Sequence, residues 1–286
     1  MAGLLQGQTA IVTGAGRGFG RSIALRLAEE GAAVTLVSRS RGQLDEVAGE
    51  IAAAGGKAIV APADVTSRAD VAAAVKAAEA AFGPLSLLVN NAGVPGPFGP
   101  LWEIDPEAWW AAQAVHIKAP VLFLREVLPG MVERKAGRVI LVSALAARMA
   151  APYMSAYCTG KIAQSRLVEE VAVETRDLGI KAFAIDPGFV FTGIAEETMN
   201  DPAAQKWMGG MVTRLKEVSA NPNASGDLER CAQRCVDLAS GRYDGLSGRY
   251  MELADDLDGM LAGAKPHWQK EGPPPQPSPE NNSTRR

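Results

Sequence analysis

The chain has 286 residues, 29 Lys and Arg against 32 Asp and Glu for a formal charge of −3, and 47% hydrophobic residues; its mean hydropathy is +0.01. This is the profile of a soluble globular protein with a sizeable core, and the near-balanced charge argues against nucleic acid or an anionic membrane as the main partner. No apolar run approaches the roughly 20 residues of a membrane span, and the N-terminus lacks a signal-peptide layout. Three cysteines (Cys158, Cys231 and Cys235) and two histidines without a C-x-x-C form neither a disulfide framework nor a zinc signature, so a reducing cytoplasm and no metal are expected.

From residue 9 onward, short β-branched runs alternate with longer helical patterns. Strands are expected at 9–13, 33–38, 57–61, 85–90, 138–142, 181–186 and 248–253. Between them lie helices at 21–30, 42–54, 68–82, 106–134, 155–178 and 226–240, with Pro106 placed in a first turn. The strands show no polar alternation, so both faces are covered; this predicts an α/β, doubly wound parallel sheet of about seven strands in a single domain over 1–264. Residues 265–286 are rich in proline and polar residues and read as a disordered tail.

After the first strand comes Thr13-Gly14-Ala15-Gly16-Arg17-Gly18-Phe19-Gly20, which opens the first helix. Glycines there allow a tight turn and let a diphosphate approach the backbone, and the helix start adds free N–H groups and positive dipole. Further along stand Asp64-Val65, Asn90-Asn91-Ala92-Gly93, Tyr157-x-x-x-Lys161, and Pro187-Gly188 with Val190 and Thr192. With these landmarks in this order, residues 7 to about 255 resemble the short-chain dehydrogenase/reductase family. The resemblance implies a Rossmann fold and a nicotinamide cofactor bound by Gly14, Arg17, Gly18, Phe19, Gly20, Asp64, Val65, Asn91, Ala92, Gly93, Pro187, Gly188, Val190 and Thr192. It also implies a homodimer or homotetramer built on helices 106–134 and 155–178.

The residue that closes the second strand selects the cofactor, since a carboxylate there binds both ribose hydroxyls of NAD and repels a 2′-phosphate. This chain has Ser38 and Arg39 instead, and Arg17 lies near the same point; guanidinium groups suit phosphate, so NADP(H) is expected over NAD(H).

Tyr157 and Lys161 are four apart on one helical face. The resemblance gives Tyr157 the proton transfer, and gives Lys161 the nicotinamide ribose and the lowering of the tyrosine pKa. Two family positions depart. The substrate-orienting serine, thirteen residues before the tyrosine, is Ala144 here, with Ser143 one residue earlier. Either Ser143 reaches the site through a local backbone shift or the site lacks that hydroxyl. The family's helix asparagine is His116, whose carbonyl is left without a helical partner because Pro120 has no N–H. Its imidazole either takes up a proton or is simply packed.

Met149, Met154, Phe189, Phe191, Met199, Trp207, Met208 and Met211 fall in segments that border the substrate in this family. They suggest an apolar substrate, although core packing is the commoner use of such residues. Segment 193–224 is the variable lid by resemblance, and residues 255–258 read as a solvated acidic turn. The expected activity is interconversion of a ketone or aldehyde with its alcohol. A non-redox lyase or isomerase on the same scaffold, or a cofactor-binding sensor, are the alternatives.

Overall fold

The computed structural model describes residues 3–220 and 226–264. Seven strands form one parallel sheet: β1 (Thr9–Thr13), β2 (Ala33–Ser38), β3 (Lys57–Pro62), β4 (Leu87–Asn90), β5 (Gly137–Val142), β6 (Ile180–Ile185) and β7 (Tyr250–Met251). Their order is β3-β2-β1-β4-β5-β6-β7, so the direction of winding reverses between β1 and β4. Register aligns the carboxyl ends, with Thr13 opposite Val37 and Asn90 opposite Leu141. In such a sheet the ligand crevice opens at that switch point, beyond the strand ends.

Burial on both faces follows from uninterrupted apolar runs. One face packs Ala10, Val12 and Leu36 under α1 (Gly18–Glu29), α2 (Arg41–Ala53) and α10 (Gly226–Ala239), with Cys231 and Cys235 inside as free thiols. The other packs Ile11, Leu88 and Leu141 under α3 (Arg68–Phe82), α5 (Ala119–Arg134) and α6 (Ser155–Glu174). Helix starts carry their own signals. Ser67 accepts from the N–H of Asp70 to cap α3, and Asp105 caps α4 (Pro106–Gln113) with proline in its first turn.

The structure divides the expected helix at 106–134. Residues Ala114–Lys118 widen into a π-turn between α4 and α5, because Pro120 has no N–H to offer the carbonyl of His116. The final strand is also shorter than the expected 248–253. Asp256 is the N-cap of α11 (Leu257–Ala262), and Asp258 pairs with Arg242 at 2.9 Å, so the acidic stretch starts a helix rather than forming a free turn. Within the expected lid lie α7 (Gly193–Asn200), α8 (Pro202–Trp207) and α9 (Gly209–Ser219), with Asp201 capping α8. Residues 221–224 of that lid and the expected tail at 265–286 lie outside the described residues.

Candidate active site

The crevice at the switch point holds a cavity of about 420 Å³, walled by the glycine loop, Ser38 and Arg39, Asp64 and Val65, Asn91 to Gly93, and Thr192. The glycines are required by position. Gly14 has φ +65°, and a Cβ there would lie 2.8 Å from Nδ2 of Asn91; Gly18 has φ +55° and packs on Thr192. Asn91 ties the two central strands together. Its N–H donates to Oγ1 of Thr13 at 2.9 Å and its amide nitrogen to the Thr13 carbonyl at 2.9 Å, while the N–H of Ala92 reaches Thr13 Oγ1 at 3.0 Å. This fixes the floor of the cavity against the start of α1. Phe19 packs on the core, Val190 is buried, and after Pro187 the backbone takes φ +84° at Gly188, where Asp227 accepts from the N–H of Phe189.

These residues fit a dinucleotide. The buried hydroxyl of Ser38 has no hydrogen-bond partner among the described residues, and Arg39 beside it is exposed and forms no ion pair among them. Asp64 is held below the usual carboxylate range, chiefly by hydrogen bonds from Thr66, with Arg39 adding to the effect. Arg17 is engaged elsewhere: its guanidinium lies over Gly193 and pairs with Glu197 of α7 at 2.6 Å, bridging the glycine loop to the lid.

Beyond the cavity, α6 presents Tyr157 and Lys161 together, with the lysine Nζ 5.6 Å from the centre of the tyrosine ring. Lys161 is buried and donates to the Val142 carbonyl at 2.7 Å and to Oε1 of Gln164 at 3.3 Å. Burial pushes its ammonium down to about 7, against a smaller upward pull from the Asp186 carboxylate. Burial also raises the Tyr157 phenol, and Asp186 acts in the same direction. A positive charge beside the phenol is therefore what would turn it into a base.

His116 stands edge-on to Tyr157, ring centres 5.5 Å apart. Burial, then the Lys161 charge, push its imidazole down to about 3, so it is neutral at ordinary pH. Nε2 lies 2.8 Å from the Val94 carbonyl, which can only accept, so Nε2 carries the proton; Nδ1 is buried without a partner. The geometry is that of a packed ring. The carbonyl that Pro120 leaves free accepts from Nε2 of Gln164 at 2.9 Å. Gln164 thus links the lysine to His116, a role the sequence reading missed. Its spacing of three from Lys161 on one helix was the available signal.

Ser143 is not brought to the cleft. Its hydroxyl is buried and donates to the Lys161 carbonyl at 3.0 Å, with Ser165 Oγ at 3.3 Å, whereas the family serine position is the methyl of Ala144. Asp186, also unremarked in the sequence, sits at the end of β6, accepts from the N–H of Leu145 at 2.9 Å and holds the loop that follows Ala144. Burial raises its pKa, a signal visible only once the strands are aligned.

Of the apolar residues expected at the substrate, Met154, Met199, Trp207, Met208 and Met211 pack together with Phe98 and Val212 in a small core beneath the lid. Met149 and Phe189 are exposed, with Arg214 of α9 lying 5.0 Å over the Phe189 ring. Among the described residues, no group of three His, Cys, Asp or Glu is arranged to hold a metal, and no helix is long and apolar enough to cross a membrane.

Comparison with known proteins agrees with this geometry. Residues 8–203 match the family model described as short chain dehydrogenase. Short chain dehydrogenase MYCFIDRAFT_6125 of Pseudocercospora fijiensis is 36% identical over 268 residues, covering 92% of this chain and 85% of that protein. Among solved structures, levodione reductase superposes with a TM-score of 0.79 at 26% identity, covering 91% of this chain and 100% of the other. A metagenomic short-chain oxidoreductase in complex with NADP gives 0.62 at 40% identity, covering 65% and 85%. A parallel sheet wound in this order, a glycine-lined crevice at its switch point, a Tyr-x-x-x-Lys helix beside it and these matches lead to one conclusion: the chain belongs to the short-chain dehydrogenase/reductase family of oxidoreductases.

Proposed function

We propose that this chain is an NADP(H)-dependent oxidoreductase that interconverts an apolar ketone or aldehyde with its alcohol. The observation that carries the reading is the placement of Tyr157, its ring centre 5.6 Å from the Lys161 ammonium, on the helix that follows β5, beside the glycine-lined crevice at the switch point of the sheet. Bound NADP(H) would give or take the hydride. Tyr157 gives its proton to the carbonyl oxygen during reduction and takes one back from the alcohol during oxidation. Lys161, anchored by Val142 and Gln164, supplies in its protonated form the positive charge that makes the phenolate accessible. Ser38 and Arg39 are the groups that would hold a 2′-phosphate, and the 40%-identical solved relative is described with NADP.

The test is steady-state kinetics with NADPH and NADH on a panel of ketones and aldehydes. We expect kcat/KM at least tenfold higher with NADPH, and an Arg39→Ala variant that loses most of that preference. Equal use of NADH by both proteins overturns the cofactor assignment. The methyl at Ala144 favours a second reading, a lyase or isomerase using the same tyrosine, which product formation without change in absorbance at 340 nm would reveal. Exposed apolar side chains on α4 to α6, namely Trp110, Val121, Ile162 and Val173, support assembly as a homodimer or homotetramer. The free cysteines are consistent with a cytoplasmic setting.

A further inference from the structure

Tyr153 is held in an unusual conformation. Its φ is +66°, and Lys135 at +53° is the one other non-glycine residue with positive φ among those described. Lys135 ends α5 as a left-handed C-cap, an ordinary use of that region. Tyr153 ends nothing; it stands two residues before α6 and four before Tyr157. A bulky residue persists there only if its surroundings over-determine it, and such residues cluster at ligand sites.

The surroundings here are specific. The carbonyl of Tyr153 accepts from the N–H of Gly99 at 3.0 Å, and its ring lies 5.3 Å from that of Trp207 on α8, tilted by 36°. Gly99 in turn backs onto Trp207, 3.6 Å from the point where a Cβ would stand. The loop that provides Gly99 begins in the nucleotide crevice at Asn91 to Gly93. It then meets His116 at the Val94 carbonyl and, at Gly96, passes within 3.7 Å of the Tyr157 N–H, measured from where a Cβ would stand. One loop therefore runs from the crevice, past the start of α6 that carries Tyr157, to the aromatic pair. Tyr153 nonetheless keeps 36% of its surface exposed, and exposed Leu145 and Met149 lie in the segment leading to it, whereas Met208 and Val212 beneath the lid are buried. The strained residue thus stands at the edge of the core beneath the lid, not inside it.

We propose that Tyr153 and Trp207 form an aryl-binding clamp at the substrate site, which selects flat aromatic carbonyl compounds by stacking their ring on the exposed part of Tyr153 while the carbonyl faces Tyr157. This inference rests on the oxidoreductase reading above and adds a substrate class to it. Aromatic pairs of this kind favour offset or tilted contact, so a third ring extends the stack without rebuilding it.

The test compares wild type with Tyr153→Gly, Tyr153→Phe and Trp207→Leu on 2-acetonaphthone and 2-butanone, with melting temperature recorded for each. Glycine accepts positive φ freely, which offsets part of the packing lost with the ring, so Tyr153→Gly is expected to stay folded and melt within a few degrees of wild type. Its KM for 2-acetonaphthone is expected to rise at least tenfold, with KM for 2-butanone within threefold of wild type. Tyr153→Phe keeps the aromatic preference, and Trp207→Leu loses part of it. If Tyr153→Gly leaves both KM values unchanged, or impairs both substrates equally, the clamp is overturned.

A binding measurement separates this from the redox reading: saturable quenching of tryptophan fluorescence by 2-acetonaphthone. Quenching that Tyr153→Gly abolishes, without turnover in wild type, keeps the clamp and defeats the redox reading. Neither quenching nor turnover defeats both.

Discussion

Replacing Ala144 with serine should accelerate reduction of simple ketones, because it restores a donor that the site lacks. The backbone at Ala144 is extended, with φ −171° and ψ 162°, a conformation serine adopts without strain. The following N–H is already pinned by Asp186 at 2.9 Å, so the new side chain enters a fixed loop. A donor aimed at a developing oxyanion contributes about 10²–10³ in kcat. The new hydroxyl is not preorganised toward the oxyanion, so the bottom of that range applies: about 100-fold, or about 3 kcal/mol. The assay is NADPH oxidation at saturating ketone for wild type, Ala144→Ser and Ser143→Ala. Since the Ser143 hydroxyl is committed to the Lys161 carbonyl at 3.0 Å, Ser143→Ala should cost stability, about 1 kcal/mol, with kcat within a few-fold of wild type. The reasoning fails if Ala144→Ser gives no gain while Ser143→Ala, still folded by melting, loses about a hundredfold or more in kcat.

Further outcomes are expected from the same structure. Ser38→Asp puts a carboxylate beside the site assigned to the 2′-phosphate, so KM for NADPH should rise at least tenfold while KM for NADH falls, read from parallel titrations. Gly18→Ala forces a Cβ into φ +55° and to within 3.1 Å of Thr192; it should destabilise by about 1–2 kcal/mol in urea and weaken NADPH binding. His116 titrates near 3 when folded and near 6.5 when unfolded, so between those values the unfolded chain binds the extra proton and stability falls as the pH falls. Urea midpoints from pH 7 to pH 4 should therefore drop less steeply in His116→Asn than in wild type; parallel slopes would contradict the buried neutral imidazole. Sedimentation should give a dimer or tetramer, and charged substitutions at Ile162 and Val173 should shift it toward monomer.

The sheet was legible because strands such as Ala10–Val12 and Leu87–Val89 are apolar without alternation, and only burial on both faces accommodates that. The break at 114–118 was half legible. Pro120 announces a carbonyl without a partner, but the partner, Gln164, comes from a helix some 50 residues away and is known only once α4 and α6 pack. The direction of Ser143 depends on which face of β5 it meets, and the serine-alanine order alone does not say which side chain enters the cleft. Asp186 and Tyr153 escaped for a similar reason. One gains its raised pKa, and the other its strain and its ring partner, from segments distant in sequence. Of the two uses read for the lid methionines, packing is the one seen: Met199, Met208 and Met211 pack α7 to α9 on one another. The helix starts at Asp201-Pro202 and Asp256 carried cap signals, but runs of six residues are too short for apolar periodicity to register.

The central proposal is Tyr157 as the proton donor in an NADPH-dependent reduction. The decisive measurement is turnover of the purified chain with NADPH and a mixed carbonyl panel, beside a Tyr157→Phe variant whose NADPH affinity is measured separately. Turnover is expected in wild type, with a loss of about a thousandfold or more in the variant and cofactor binding unchanged. Undiminished turnover in Tyr157→Phe, or NADPH binding by wild type with no hydride transfer to any carbonyl in the panel, would contradict it.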